Sequence, residues 1–479
     1  MEHSKGAPEQ HYDLVIIGGG TGGYVGAIRA AQLGKKVALI EQNKLGGTCL
    51  HQGCIPTKAL LESSQQFFQL NHAAEHGIEV NLEGARLNLE KVYLRKQEIV
   101  KQLFQGIKHL MKKNKIHVLE GTGELAGKTD KFQIIIRKDG DKQSIYAEHV
   151  ILAAGSRPKV PEGIQLDGVH LFTSNEILEN PIRPNHITVV GAGAIGVEFA
   201  CYFKEIGSEV RIIEWSDRLV PLEDKDISLE LNRLLTRKGI ETVLHSKVET
   251  DRIHKMSNNR LEYIVTSQQG GSATFETDAI LFAIGRQNNT EHLGLSTVGL
   301  LDGEKFVKVN ERMQTAISGL YAIGDIAGSY QLAHVAVQQA LIAVDTICGK
   351  YTVPYDPMRV PRCTYSHPEI ASVGLTEAQA MEAGYLIRIG KFPLKMNGRS
   401  IIHGEIDGFM KLVIDKESDL LLGAHFIGNH ATELISVPSL AIFLEGTAWE
   451  MAMNVYPHPT ISEIIGEAAH DALQQAIHM

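Results

Sequence analysis

Two glycine-rich turns, about 170 residues apart, constrain this 479-residue chain more than any other feature. The apolar run Tyr12–Ile17 leads into Gly18-Gly19-Gly20-Thr21-Gly22-Gly23. Tyr24–Leu33 then carries a helical pattern, and Val37–Ile40 is a second apolar strand ending in Glu41. The design returns as Ile187–Val190, Gly191-Ala192-Gly193-Ala194-Ile195-Gly196, a helix to about Ile206, and the strand Val210–Ile213 ending in Glu214. In a G-x-G-x-x-G turn the glycines let the backbone bend tightly and approach a pyrophosphate, which rests on the helix N-terminus. An acid about 20 positions on accepts hydrogen bonds from an adenosine ribose. Glu41 follows Gly20 by 21 positions, and Glu214 follows Gly193 by 21. One such turn can arise from packing alone. Two in the same strand–turn–helix–strand–acid context imply two dinucleotide sites, each on a parallel, doubly wound α/β sheet. Glu214 favours NAD over NADP, because a carboxylate welcomes a ribose hydroxyl and repels a 2′-phosphate. Arg218 is the nearby cation that would pull the other way.

Between the turns, Val118–Ile151 alternates short β-rich runs with glycine and charged residues, as a meander capping the first unit would; Leu261–Ile284 mirrors it. From about Val353 the texture changes. Met410–Ile414 and Leu421–Phe426 read as antiparallel strands, and helices are expected over Thr376–Ala383, Thr432–Leu444 and Ile461–Ile477. The fold class is therefore α/β, with two Rossmann-like dinucleotide-binding domains and a separate C-terminal α+β domain.

The 47 basic and 56 acidic residues leave a formal charge of −9 with no long basic run, which argues against nucleic acid or an anionic membrane as the main partner. No uncharged apolar stretch reaches the roughly 18–20 residues of a membrane span. Met1–Gln10 is polar and holds no signal core, so the expected location is the cytoplasm, or the mitochondrial matrix for a mature form. Five cysteines do not make a disulfide scaffold, and no cysteine–histidine cluster has metal-site spacing.

Two of those cysteines sit close together in Gly46-Gly47-Thr48-Cys49-Leu50-His51-Gln52-Gly53-Cys54-Ile55-Pro56-Thr57-Lys58. Isolated cysteines are commonly inert buried thiols. Positions five apart on a regular helix lie about 8.6 Å apart at Cα, beyond the roughly 7 Å that a disulfide spans. If these two bond, the backbone between them is irregular, which Gly53 permits. Cys201 and Cys348 fall at apolar helical positions and Cys363 in a strand-like run, as structural thiols do.

Near the other end stands Tyr456-Pro457-His458-Pro459-Thr460-Ile461-Ser462-Glu463. Pro459 disfavours the helical region for His458, and an exposed, rigidly held imidazole suits a proton carrier. Glu463 could orient it. Thr460 and Glu463 also form a capping-box pattern for a helix beginning near Ile461, and the two roles are compatible.

The cysteine segment resembles the redox-disulfide signature of the lipoamide dehydrogenase, glutathione reductase and mercuric reductase family, and the resemblance extends over essentially the whole chain. It implies that the first turn (Gly18, Gly20, Gly23, with Glu41) holds FAD and the second (Gly191, Gly193, Gly196, with Glu214) holds NAD. Tyr321-Ala322-Ile323-Gly324-Asp325 is similar to the family's second FAD motif, with Asp325 on the ribityl chain. Leu332-Ala333-His334 resembles the segment that touches the flavin. Gly155 and Gly285 lie in the two crossings between the FAD and NAD domains. The resemblance makes Cys49 the interchange thiol and Cys54 the thiol against the flavin, and it sets Lys58 beside the flavin, paired with Glu198. A plain alternative for Glu198 is an acid favoured by the helix dipole. His458 and Glu463 match the family's H-P-T-x-S-E motif, a proton acceptor supplied across a dimer interface, so a homodimer is implied. Ala154, Asn288 and Val337 depart from the family's usual residues. The implied domains are 1–155 and 278–350 for FAD, 156–277 for NAD and 351–479 for dimerisation.

The expected activity is oxidation of protein-bound dihydrolipoyl groups with reduction of NAD, the partner being the lipoyl domain on the acyltransferase subunit of a 2-oxo acid dehydrogenase complex. A glutathione reductase would carry NADP-reading arginines where Glu214 stands. A mercuric reductase would carry a further cysteine pair, and none follows Cys363. A non-catalytic scaffold subunit would not need the full redox set.

Overall fold

The structure, a computed structural model, describes residues 10–79, 81, 84–300, 304–328 and 330–479. All but the last residue of the Met1–Gln10 stretch lies outside the described residues. The chain divides into two compact units. The first comprises Met1–Thr57, Leu94–Arg157 and Arg286–Pro357; the second comprises Lys58–Tyr93, Pro158–Gly285 and Met358–Met479.

In the first unit the sheet order is His117–Glu120, Val37–Glu41, Gln10–Ile17, Asp141–Leu152, Phe132–Lys138, Thr122–Lys128, and Leu320–Ala322 also pairs with Asp141–Leu152. The strands around Gln10–Ile17 run parallel, in a register that sets Ile16 beside Leu39 and Ile151. All three side chains are essentially fully buried, as strands covered on both faces must be. The meander expected over Val118–Ile151 is only partly one. Thr122–Lys128, Phe132–Lys138 and Asp141–Leu152 are antiparallel neighbours. His117–Glu120 is instead a parallel edge strand on Val37–Glu41, and Asp141–Leu152 is a central strand. The reason is the unbroken run Val150-Ile151-Leu152, which is buried on both faces and so cannot sit in a cap. The helices Thr21–Gln32 and Ala333–Ile347 belong to this unit, with Ala27, Ala30, Ala340 and Val344 in its core.

The second unit holds three sheets: a small antiparallel one, in which Leu261–Ser267 pairs with Ser246–Val248, His254–Lys255 and Ser272–Thr277, and two larger ones. One is parallel, in the order Ile240–Val243, Glu209–Ile213, His186–Val190, Ala279–Phe282, Leu171–Phe172. The other is antiparallel, in the order Arg362–Thr364, Ile370–Gly374, Leu421–Ile427, Phe409–Asp415, Ile387–Pro393. The pair expected at Met410–Ile414 and Leu421–Phe426 is present, with Met410 opposite Phe426 and Leu412 opposite Ala424. Two helices are shorter than the sequence suggests. The stretch expected over Thr432–Leu444 is divided into Ala431–Leu434 and Ser436–Phe443; Pro438 has no N–H to offer the Leu434 carbonyl. The helix expected over Ile461–Ile477 spans Glu463–Ala472. Its end is set by Gln474, whose positive φ of 59° turns the chain back.

One charge cluster lies deep in this unit. Lys411, on the fully buried strand Phe409–Asp415, places Nζ 2.9 Å from Asp224, 3.2 Å from Asp226 and 2.6 Å from Glu377. The side chains of Lys411 and Asp224 are 1% and 2% exposed. Burial pushes the Asp224 carboxyl up, but His425 and the Lys411 ammonium outweigh it and hold the group below its ordinary value. A carboxylate with a depressed folded-state pKa stabilises the fold above its unfolded pKa, and that contribution is lost as pH falls through the folded value. Removing one partner of a buried pair leaves the other charge uncompensated. Lys411→Met is therefore expected to destabilise the protein by about 3–5 kcal/mol near neutral pH, with a smaller difference from wild type in acid. Urea unfolding at the two pH values checks both the size and the trend.

Candidate active site

The two glycine turns are closed in the same way. In the first unit Gly18 N–H donates to the Ile40 carbonyl at 2.8 Å, and Glu41 accepts from Gly19 N–H and Asn43 N–H, each at 2.7 Å. In the second, Gly191 N–H donates to the Ile213 carbonyl at 2.8 Å. Glu214 accepts from Ala192 N–H at 2.6 Å and Ser216 N–H at 2.7 Å. The acids read from the sequence as ribose ligands are thus also the staples of their turns. Each carboxylate oxygen keeps a further lone pair for a ribose hydroxyl. The Arg218 guanidinium lies 3.5 Å from Asp217 and 3.3 Å from the Pro221 carbonyl.

The glycines of each turn separate by steric role. A Cβ on Gly18 or Gly191 would run into the carbonyl of Ala153 or Ala283, and one on Gly23 or Gly196 would run into the carbonyl of Gly18 or Gly191. The middle glycines differ. A Cβ on Gly193 would meet no described protein atom within 4 Å, and one on Gly20 would meet only Gly47 Cα, at 4.0 Å. Internal packing therefore demands the first and third glycines but not the second. A pyrophosphate lying against the helix N-terminus does demand it. The helices Thr21–Gln32 and Ala194–Glu205 both start at that glycine without a side-chain cap, which leaves their first N–H groups to an anion. These cradles fit two bound dinucleotides.

The cysteine segment is attached to the first cradle. Gly46 N–H donates to the Gly19 carbonyl at 2.8 Å, and Gly47 packs so closely that a Cβ there would lie 2.6 Å from Gly20 Cα. The helix Gly47–His51 then stops, Gln52 leaves helical geometry, and a second helix runs Cys54–Leu70. The break falls between the two thiols, where a bond between them would require it. Gly53 allows the Thr48 carbonyl to approach; a Cβ there would stand 2.9 Å from it. Cys49 and Cys54 are both half-buried.

Asp325 is the second residue of the short 3-10 turn Gly324–Ala327 in the same unit. Ser156 Oγ donates to it, and Arg286 Nε donates to Ser156 Oγ at 2.7 Å. Burial lowers the Arg286 pKa, opposed by the charges of Asp325 and Cys54. Gly155 accepts from Asn289 N–H at 2.9 Å, and Ala333 is the first residue of Ala333–Ile347. Ser156, Arg286 as a charge partner, and the buried Gln339, whose Oε1 takes Gly324 N–H at 2.7 Å, escaped the sequence reading as site residues. Arg286 alone had a signal, in its Gly-Arg dipeptide. In the second unit Gly285, with φ of 105°, accepts from Lys159 N–H at 3.0 Å.

Also in the second unit, Lys58 Nζ lies 3.0 and 2.9 Å from the two Glu198 oxygens. Glu198 is 3% exposed and takes a third bond from Tyr365 N–H at 2.9 Å, while the Tyr365 ring lies under the Lys58 ammonium at 4.6 Å. That ion pair, more than a helix dipole, accounts for the acid. Further along, His458 Nδ1 lies 2.9 Å from Glu463 Oε1, and Glu463 Oε2 takes Thr460 N–H at 2.8 Å. Only the glutamate half of the expected capping box forms, because Thr460 Oγ1 turns to the Pro457 carbonyl. The His458 side chain is 79% exposed, so its Nε2 is open to a substrate. Burial raises the Glu463 pKa, but Thr460 N–H and His458 outweigh it and the carboxyl sits below its ordinary value.

Residues 12–340 match the family model described as pyridine nucleotide-disulphide oxidoreductase, and residues 360–469 match that family's dimerisation domain. The chain belongs to the pyridine nucleotide-disulphide oxidoreductases. It is thus an FAD- and NAD-using disulfide oxidoreductase with a dimerisation domain. It is 45% identical to the dihydrolipoyl dehydrogenase of Bacillus subtilis over 473 residues, covering 98% of this chain and 99% of that protein. The dihydrolipoyl dehydrogenase of Zymomonas mobilis is 36% identical with the same coverage. Among solved structures, LpdA of Mycobacterium tuberculosis aligns with a TM-score of 0.88 at 26% identity, over 96% of this chain and 99% of that one. The Cu(II) complex of the HOCl-induced flavoprotein disulfide reductase RclA of Escherichia coli aligns at 0.84 and 28%, also over 96% and 99%. Among the described residues, no helix is long and apolar enough to cross a membrane, and no group of three or more His, Cys, Asp or Glu residues could hold a metal.

The contrast between glycines gives a test. Gly193→Ala should leave the thermal midpoint within about 2 °C of wild type, yet weaken NADH binding at least roughly tenfold. Gly196→Ala should lower the midpoint several times further, because its Cβ displaces the Gly191 carbonyl. Calorimetry with NADH titration separates the two; equal effects on stability would refute the assignment of the middle glycine to the ligand.

Proposed function

We propose that this chain is the dihydrolipoyl dehydrogenase component of a 2-oxo acid dehydrogenase complex, oxidising protein-bound dihydrolipoyl groups to lipoyl while reducing NAD. The observation that carries the reading is the Cys49–Cys54 segment tied to the first nucleotide cradle, in a chain that matches dihydrolipoyl dehydrogenases over nearly its whole length. We assign residues 1–155 and 278–350 to FAD binding, 156–277 to NAD binding and 351–479 to the dimer interface. Gly18, Gly20, Gly23, Glu41, Gly155, Asp325 and Ala333 would hold FAD, with Lys58 and Glu198 beside its ring. Gly191, Gly193, Gly196, Glu214 and Gly285 would hold NAD. Bound FAD supplies a two-electron acceptor between the dithiol and NAD.

The rest falls to this chain's own groups. His458 takes a proton from the dihydrolipoyl dithiol, and Glu463 fixes the ring and stabilises the imidazolium. The substrate thiolate attacks Cys49 Sγ of a Cys49–Cys54 disulfide and displaces the Cys54 thiolate. The second substrate sulfur then displaces Cys49, leaving a lipoyl disulfide and two reduced enzyme sulfurs. Arg286 holds negative charge on Cys54, the better leaving group for it. Glu214 makes NAD the cofactor.

Steady-state rates with dihydrolipoamide, glutathione and mercuric ion, each with NAD(H) and NADP(H), test the assignment. Dihydrolipoamide with NAD should lead. A preference for glutathione and NADPH would overturn it. Cys49→Ser and Cys54→Ser should both abolish dihydrolipoamide oxidation and spare NADH-dependent ferricyanide reduction, which needs no dithiol; a variant that still oxidised dihydrolipoamide would remove its cysteine from the exchange.

His458→Ala should slow dihydrolipoamide turnover by roughly 10² to 10⁴. Mixed with Cys49→Ser protein under subunit exchange, it should regain about a quarter of wild-type activity, since half the dimers are mixed and each has one complete site. No recovery, with exchange shown independently, would place the base and the cysteines of one site in a single subunit.

A further inference from the structure

The helix Glu463–Ala472 carries three carboxylates at four-residue steps, Glu463, Glu467 and Asp471, and such neighbours share a helix face. The first two each receive an imidazole from outside the helix. Glu463 takes His458, and Glu467 Oε1 takes His478 Nδ1 at 2.8 Å. His478 reaches it because the chain doubles back. Gln474 adopts φ of 59°, its N–H returns to the Asp471 carbonyl at 2.9 Å, and Gln475 N–H returns to the His470 carbonyl at 2.8 Å. This is a Schellman-type stop built on glutamine, which disfavours that conformation, where glycine is usual. Glu467 Oε2 is buried with no hydrogen-bond partner among the described residues, so His478 is the compensation the structure provides for that charge. Through space, His478 also acts on Glu463 and opposes its protonation.

We propose that His478 is a positioning residue for the base: seated on Glu467 one helical turn beyond Glu463, its imidazolium offsets the two carboxylates behind His458 and keeps that ring able to release its proton. The inference rests on His458 serving as the base. Without the second cation, two carboxylates back the His458 imidazolium and hold its proton to higher pH. The other charged groups nearby are engaged elsewhere. Asp471 accepts Lys391 N–H, the Lys391 ammonium meets Asp226, Arg388 pairs with Asp419, and Glu450 caps the helix at Thr447. His470 lies on the same helix with its Nδ1 buried.

The test is the pH dependence of kcat/KM for dihydrolipoamide with NAD in the holoenzyme. His478→Gln should move the acid limb up by about half a pH unit, a roughly threefold loss below the limb and none on the plateau. Glu467→Gln, which removes a negative charge from the same face, should move it down, and His478→Lys should return it toward wild type. An unmoved limb, an equal fractional loss at every pH, or shifts of the same sign for His478→Gln and Glu467→Gln would overturn the proposal. His458→Gln is the separate control: if it kept wild-type turnover, the base assignment itself would fall, whatever the His478 variants did.

Discussion

The carboxylate that closes each glycine turn is the interaction on which the rest depends. A turn built of glycines has no side chains with which to hold its own shape. Glu41 and Glu214 hold it from the next strand, each with a pair of backbone N–H bonds between 2.6 and 2.7 Å. Such charge-assisted bonds are short and strong, and removing one partner leaves a donor stranded at a cost of about 1–3 kcal/mol. The same acid therefore shapes the cradle and keeps lone pairs free beside it. A substitution chosen to alter nucleotide preference at Glu214 also unfastens Ala192 and Ser216.

Charge is placed with equal economy within each unit. Glu198, at 3% exposure, is satisfied by two bonds from Lys58 and one from Tyr365 N–H. Arg286 is similarly enclosed, held by Ser156 and close to Asp325. Buried ion pairs of this kind add little net stability; what they provide is a fixed local potential. His458 is the opposite case, an exposed ring held by one carboxylate.

Much of this was legible in the sequence because it is local. The glycine spacing, the acid 21 residues on, and the strands Gln10–Ile17, His186–Val190 and Phe409–Asp415 all follow from patterns within about 40 residues. What escaped was non-local or context-dependent. The 25-residue helix Leu89–Lys113 went unread. Asp141–Leu152 reads as a meander strand because its first four residues are polar and exposed, and only its paired neighbours show that its second half is central. The helix Glu463–Ala472 was overextended because a left-handed glutamine gives no compositional warning. Ser156 and Gln339 lie 169 and 15 residues from the groups they bond, and nothing in a serine or glutamine announces such a partner.

The bond from Gly46 N–H to the Gly19 carbonyl, with Gly47 pressed on Gly20, joins the thiol segment to the nucleotide turn with no side chain at the join. Two functions usually treated as modules, holding a nucleotide and exchanging a disulfide, share one backbone seam here. Neither loop can then drift in sequence without regard to the other. In recombination between homologues, or in a graft of this redox loop onto another flavoprotein, the segment from Gly18 to Cys54 is the smallest piece that keeps the nucleotide turn, both thiols and the seam between them.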